Sequence, residues 1–248
     1  MLKRIGRRLM RMTGARGAPP AVPSMPEPPA DGVRLNLGCG FDLRPGWVNV
    51  DLHDFHKPDL VCDITWLRSV ESESVDYVLA QDVLEHIHRV RCHTALMEWN
   101  RVLKLGGEIA VRVPDVTALA DMLRRPDYAT AQGQRHLLQN MFGTQSYDGD
   151  FHFNGFTTLS IRHDFESCGF EILHLGHKDE WLFEVLGRKV DHREPDEILR
   201  IGSDEAFIEE AYQRYLGRPS DPEGRNYFLG AVGKGVPREA VIETLKAA

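Results

Sequence analysis

The feature that most constrains this chain is a regular alternation, from Val33 to about Lys189, of short apolar runs with stretches of helical patterning. Strands separated by helical segments tend to lie side by side while the helices cross over them, so the pattern predicts an α/β protein with a mainly parallel sheet. Strands are expected at Val33–Leu37, Val48–Asp51, Leu60–Cys62, Val75–Leu79, Glu108–Val113, Phe170–Leu175 and Trp181–Gly187. One helix is expected from Arg89 to Lys104, stopped by Gly106-Gly107, because glycine readily takes the left-handed backbone that ends a helix. Another is expected from Thr158 to Cys168, closed by Gly169. A hydrophobic content of 42 % is enough to build the core such a sheet needs.

The flanks read differently. Residues 1–18 hold Lys3, Arg4, Arg7, Arg8, Arg11 and Arg16 and no acid, so of the net charge of −7 the rest of the chain carries −13. An acidic body argues against broad nucleic-acid binding, which depends on clustered Lys and Arg to displace counterions. The basic leader is either a disordered segment, the simpler reading, or a short amphipathic helix (Leu2, Ile5, Leu9 and Met12 on one side) able to touch an anionic membrane surface weakly. Residues 19–32 form a proline-rich linker, with Pro19, Pro20, Pro23, Pro26, Pro28 and Pro29 forbidding regular structure. The main domain then spans 33–190, and a hinge with Pro195 leads to a small helical unit at 204–248. In that unit Ser220-Asp221-Pro222-Glu223 predicts a capping box, and Pro237 predicts the start of a last helix reaching Lys246. Cys39, Cys62, Cys92 and Cys168 are scattered, with no Cys-x-x-Cys pair, which suits reduced thiols in the cytoplasm. No stretch approaches the ~20 apolar residues of a spanning helix, and no secretory signal is evident.

The informative motif is Val33-Arg34-Leu35-Asn36-Leu37-Gly38-Cys39-Gly40, a strand running into two glycines one residue apart. Glycine there permits a tight turn and lets the backbone approach a ligand at the strand's carboxyl edge. A dinucleotide fingerprint would place a third glycine where Leu43 stands; its absence suits a ligand without a pyrophosphate and disfavours a nicotinamide dehydrogenase. Acidic residues follow at strand ends. Asp51 could accept hydrogen bonds from both hydroxyls of a ribose, and Asp63 could accept from an adenine amino group while Ile64 packs on the ring. Taken singly, each is more often a loop cap or a surface carboxylate than a ligand.

Leu-Gly-Cys-Gly, Asn-Val-Asp-Leu, Cys-Asp-Ile-Thr, Asp-Val-Leu-Glu-His-Ile and Arg-Val-Leu-Lys-Leu-Gly-Gly occur in order, and they resemble the successive motifs of class I S-adenosylmethionine-dependent methyltransferases, most of all a bacterial branch associated with cell-surface glycans. The resemblance covers about Val33–Lys189. It implies a doubly wound, seven-stranded Rossmann-like sheet with an antiparallel last strand, and S-adenosylmethionine over the ends of the first strands. Carried over residue by residue, it implies Asn36, Gly38, Cys39 and Gly40 on the methionine side, Asp51 at the ribose, Asp63 and Ile64 at the adenine, and Gln81 and Asp82 near the sulfonium. Two departures stand out. Asn36 replaces the usual acid two places before the first glycine, and 11 positions separate Gly40 from Asp51, so the first crossover helix must be very short or absent. The stretch Asp204–Ala248 resembles a small helical domain of unknown function fused to glycosyltransferases and methyltransferases of surface polysaccharides, which implies a docking partner for residues 204–248; a simple helical cap on the sheet is an equal reading.

Methyl transfer to a hydroxyl calls for a base near the acceptor. His152, oriented by Asp150, is the first candidate, with His86 and Asp115 as alternatives. His86, His88 and His93 cluster in sequence, but no nearby carboxylate or cysteine completes a ligand set, so no metal is expected. The expected activity is O-methylation, or N-methylation, of a small-molecule or glycan acceptor, in the cytoplasm or against the inner face of the membrane. The alternative is a non-catalytic cofactor-binding or scaffold protein of a glycan-assembly complex.

Overall fold

A computed structural model describes residues 25–147 and 149–248. The basic leader and residues 19–24 of the linker lie outside the described residues. Seven strands form one sheet: β1 (Arg34–Leu37), β2 (Val48–Asp51), β3 (Leu60–Val61), β4 (Val75–Gln81), β5 (Leu103–Pro114), β6 (Phe170–His177) and β7 (Leu182–Lys189). Their order is β3-β2-β1-β4-β5-β7-β6. The first five strands run parallel, and β7 inserts antiparallel between β5 and β6. The strand order reverses between β1 and β4, and the crevice outside the carboxyl ends of strands at such a switch point is where open α/β sheets bind ligands.

β1 passes to β2 with no intervening helix, as the short spacing requires. The helix α1 (Arg89–Val102) joins β4 to β5, while α2 (Val116–Met122), α3 (Ala131–Phe142) and α4 (Thr158–Ser167) lie between β5 and β6. Leu35, Leu37, Val78, Ile109, Val111 and Val185 form the main core with Leu96, Trp99, Ile161 and Phe165 of α1 and α4. Trp99 and Phe165 are wholly buried, as expected of core aromatics. On the other side of the sheet, Tyr77, Leu79, Ala110 and Leu186 are covered by Met25 and Trp47. The linker's last residues therefore have a packing role.

One expected boundary moves. α1 ends at Val102 and the chain is already extended at Leu103, so Gly106-Gly107 lies inside β5 instead of stopping a helix. The β4–β5 register jumps there, from Val75↔Leu103 to Tyr77↔Glu108, and Gly106 takes φ 81° in the resulting bulge. α1's carboxyl end is capped from elsewhere: the Lys189 ammonium, 1 % exposed, donates to the carbonyls of Asn100 (2.9 Å) and Leu103 (2.8 Å). A cation at a helix C-terminus complements both the orphan carbonyls and the helix dipole. Burial pushes that ammonium's pKa down despite Glu73 nearby.

The last unit comprises α5 (Asp204–Leu216), α6 (Pro222–Val232) and α7 (Arg238–Lys246) around Phe207, Ile208, Tyr212, Phe228, Val241 and Leu245. α7 begins after Pro237 and reaches Lys246, as predicted. The cap of α6 sits one residue later than expected: Asp221 accepts from the Gly224 amide (2.8 Å), and Ser220 instead bonds Glu209. A side chain at Gly224 would overlap the Tyr212 hydroxyl. Gly224→Ala is therefore expected to destabilise this unit by about 1–3 kcal/mol through overpacking, read as a lower urea midpoint for the loss of its helicity. An unchanged midpoint would show that Tyr212 can swing aside. The unit docks on the sheet domain through Arg200–Glu98 (3.2 Å) and Arg91–Glu239 (3.6 Å).

Candidate active site

The β1 end is a built turn. Gly38 has φ 62° and Gly40 φ 49°, a region that side chains disfavour. A Cβ at Gly38 would collide with Val83, so this glycine is needed for the close approach of the β1 and β4 ends. At Gly40 a Cβ would meet nothing within 4 Å; the turn opens there onto free space. Asp51, 8 % exposed at the end of β2, holds the turn: its carboxylate accepts from the Gly40 amide (2.8 Å) and the His53 amide (3.0 Å). Cys39 is buried between them, and burial together with the Asp51 charge pushes its thiol up to about 11, so it stays protonated.

Asn36 is 3 % exposed and donates to the Asp42 carbonyl (2.7 Å) and to Asn49 Oδ1 (3.1 Å). Asn49 in turn binds Arg44 and Asp59. This amide network holds the long β1–β2 connection where a helix would otherwise do so. Asp63 is tied to α1: Oδ2 accepts from Arg91 (2.9 Å) and Oδ1 from the Thr65 amide (2.9 Å). Burial would raise the Asp63 pKa, yet the Arg91 charge and the Thr65 bonds prevail and hold it below the ordinary carboxylate value. Ile64 is buried in the main core, its carbonyl accepting from the Trp99 indole (2.9 Å).

At the β4 end, Gln81 accepts from Arg44 (3.3 Å). Asp82 adopts φ 55°, an unusual backbone for a side-chain-bearing residue, and its carboxylate forms a fork with Arg112 of β5. Burial disfavours the Arg112 charge, but its bonds to Asp82 outweigh that and raise its pKa. Next comes a short 3-10 turn, Leu84–His86, whose Glu85 is 2 % exposed and leaves Oε2 without a partner. Burial, with the Asp82 charge adding to it, pushes Glu85 up to about 8.

The segment after α3 folds back over this turn. Phe153 and Asn154 amides both donate to the Glu85 carbonyl (2.9 and 3.2 Å), and His86 Nδ1 donates to the Phe151 carbonyl (3.1 Å). His152 thereby meets His86 edge-on, ring centroids 4.7 Å apart. Asp150 does not orient His152, contrary to expectation. Its carboxylate binds Thr144 and Ser146. Burial, and then the neighbouring His86, push the His152 pKa down.

Asp115 follows β5 and caps α2, accepting from Thr117 and Ala118 through Oδ1. Its other oxygen lies 2.9 Å from His177 Nε2 at the end of β6. His177 stacks on Phe183 with centroids 4.6 Å apart. Sequence reasoning missed this pair because β6 joins the sheet's far edge 62 positions away from Asp115.

A methyltransferase domain model matches residues 34–111, and a domain of unknown function (DUF4214) matches residues 200–247. No curated protein matches the chain. Three solved structures are similar in part. A protein of Pyrococcus horikoshii OT3 is 18 % identical with TM-score 0.47, over 64 % of this chain and 82 % of that one. A SAM-dependent methyltransferase of Methanosarcina mazei is 16 % identical with TM-score 0.49, over 64 % and 93 %. A Burkholderia thailandensis 1,6-didemethyltoxoflavin-N1-methyltransferase, solved with that compound and S-adenosylhomocysteine, is 14 % identical with TM-score 0.44, over 64 % and 72 %. The sheet order stands on this chain's own strand pairing. The residues matched by the methyltransferase domain model, 34–111, run from β1 into β5 and include the Gly40 turn and Asp51.

Proposed function

We propose that the chain is an S-adenosylmethionine-dependent methyltransferase that methylates a hydroxyl of a sugar or glycan precursor in cell-surface polysaccharide assembly. The observation that carries the cofactor part is the Gly40 turn, left-handed, open in front and braced from behind by Asp51. The residues fit an adenosyl sulfonium: each Asp51 oxygen has one amide partner and a second lone pair for a ribose hydroxyl. When bound, the cofactor supplies a methyl group already activated by a positive sulfur.

The chain's own residues then align the acceptor and take its proton. Asp115 fixes His177 through Nε2, which leaves Nδ1 to receive the proton; His152 is a second candidate for that role. Tyr147, Phe151 and Phe153 are exposed aromatics on the segment over the β4 end, an apolar face on which a sugar ring could lie. The glycan assignment also rests on the resemblance of Asp204–Ala248 to modules fused to polysaccharide enzymes; the match over residues 200–247 is to a domain of unknown function.

Calorimetric titration with S-adenosylmethionine is expected to show saturable binding by the wild type. Asp51→Ala removes the charged acceptor offered to the ribose hydroxyls, about 1.5–3 kcal/mol for each such bond lost, so binding should weaken by roughly tenfold to a hundredfold per bond. Equal binding by both proteins removes Asp51 from the site. Tritium transfer from labelled cofactor into fractionated cell material should then label a saccharide fraction. A second reading, a cofactor-binding scaffold without catalysis, is favoured by Asn36 and Asp63 being engaged in internal bonds. Binding with no label transferred to any fraction would select it.

A further inference from the structure

Among the described residues, one group of side chains has the make-up of a metal site. Glu85, His86 and His152 each offer one ligand atom, and these atoms lie within 4.8 Å of one another. Two further observations separate the group from a chance meeting of polar residues. Five buried side-chain polar atoms in the described residues lack a hydrogen-bond partner, and two of the five, Glu85 Oε2 and His152 Nδ1, are in this group. A buried carboxylate oxygen with no partner is costly, and a native fold usually retains one for a reason. In addition, the His86 imidazole is held from its far side by main chain. A carbonyl oxygen can only accept, so His86 Nδ1 must be the donor to Phe151, and the lone pair resides on Nε2. Ligating histidines are typically anchored in this manner, with the second ring nitrogen donating to a carbonyl or carboxylate that fixes the tautomer. The His152 Nδ1 is buried with no partner of its own, which leaves its lone pair available to an ion.

We propose that Glu85, His86 and His152 bind one first-row divalent transition-metal ion of the Zn²⁺ type. Two imidazoles and one carboxylate suit such an ion better than Mg²⁺, which favours an all-oxygen, octahedral shell. Three protein ligands leave at least one position open for an oxygen donor. Ligand atoms around a tetrahedral Zn²⁺ sit roughly 3.4 Å apart, so the group closes by about 1 Å on binding. The closure falls on the His152 segment, because Glu85 and His86 belong to the turn fastened behind β4. The Asp82 carboxylate close to Glu85 adds to the negative field but is itself forked by Arg112, so it stays outside the ligand set. His88 and His93 are elsewhere, one stacked on Phe153 and the other against Ser167. An open metal position is where an acceptor hydroxyl would lose its proton more easily; that last step rests on the methyltransferase reading, whereas the site itself does not.

The test uses the full chain stripped with chelator and titrated with Co²⁺ and Zn²⁺. One ion per chain is expected, with visible d–d absorption for Co²⁺, a raised Tm for the Zn²⁺ form and no comparable effect of Mg²⁺. Glu85→Gln and His152→Ala should each weaken binding by more than the roughly 10–100-fold that loss of an outer-shell partner costs. His88→Ala and His93→Ala should leave it unchanged. The proposal is overturned if the wild type takes up no stoichiometric Co²⁺, if binding survives Glu85→Gln and His152→Ala, or if it is lost with His88 or His93. Because the wild-type spectrum needs no variant and no cofactor, failure here is distinguishable from failure of the methyltransferase reading, which titration with S-adenosylmethionine tests on its own.

Discussion

Glu98→Ala is expected to lower the stability of the sheet domain by about 3–5 kcal/mol, the usual cost of removing one partner from a buried ion pair. Glu98 is fully buried on α1. Its Oε1 accepts from the Leu67 amide (2.9 Å) and Arg101 (2.7 Å), and its Oε2 from Arg101 (2.9 Å) and Arg200 (3.2 Å). Without it, the Arg101 guanidinium, 8 % exposed, keeps only the carbonyls of Leu67 and Val70 and the Ser72 hydroxyl. An unneutralised cation would then remain in the core beside the β3–β4 connection. At roughly 2–4 °C per kcal/mol for a domain of this size, Tm should fall by about 6–20 °C. Arg200 is 30 % exposed on its side chain, so Arg200→Ala should cost about 1 kcal/mol or less and act mainly by loosening the last three helices from the sheet domain. A Tm within 2 °C of wild type for Glu98→Ala would refute the argument, for it would mean that water reaches Arg101 freely.

The same residues show what could be read from the sequence. The strands, the absent first crossover helix and the β1 turn were legible because they are written in local patterns: apolar runs, the short gap to Asp51, and glycines where backbone must turn left-handed. Arg101 opens the Arg-Val-Leu-Lys-Leu-Gly-Gly stretch, yet its burial was invisible, since its partners are Glu98 one turn earlier and carbonyls some 30 positions before it. Asn36 and Asp63 were read as ligand-facing; in the fold they fasten the β1–β2 loop and α1, because connections from β1 to β4 that hold no α-helix must be anchored by side chains. Gly106-Gly107 could not be told from a helix stop, as bulge and stop use the same left-handed glycine. Glu85 and His152 are separated by a whole strand, three helices and their loops, and only the folded chain brings the carboxylate to the imidazoles.

Gly143→Ala is expected to dislodge the segment over the β4 end while leaving the sheet intact. Gly143 terminates α3 with φ 78° and ψ 166°, a backbone region essentially reserved for glycine, and an alanine there carries about 1–3 kcal/mol of strain. A Cβ at this position would also overlap the Asp150 carbonyl and crowd the His152 amide, adding about 1–3 kcal/mol more. The segment holds fewer bonds than that sum can be set against. The His152 amide to the Phe142 carbonyl (3.2 Å) and Gln145 to the Asp150 carbonyl (3.4 Å) are long. Relief should therefore come by local opening, at a free energy well below that of global unfolding. Amide exchange should accelerate in residues 144–154, including Phe153 and Asn154 at the Glu85 carbonyl, with strands β1, β4 and β5 still protected. S-adenosylmethionine binding, which depends on the Gly40 turn and Asp51, should change little, while Co²⁺ uptake through His152 should drop. Parallel loss of both would show that the segment and the β1 turn fold as one unit, and retention of both would show that Gly143 tolerates a side chain after all.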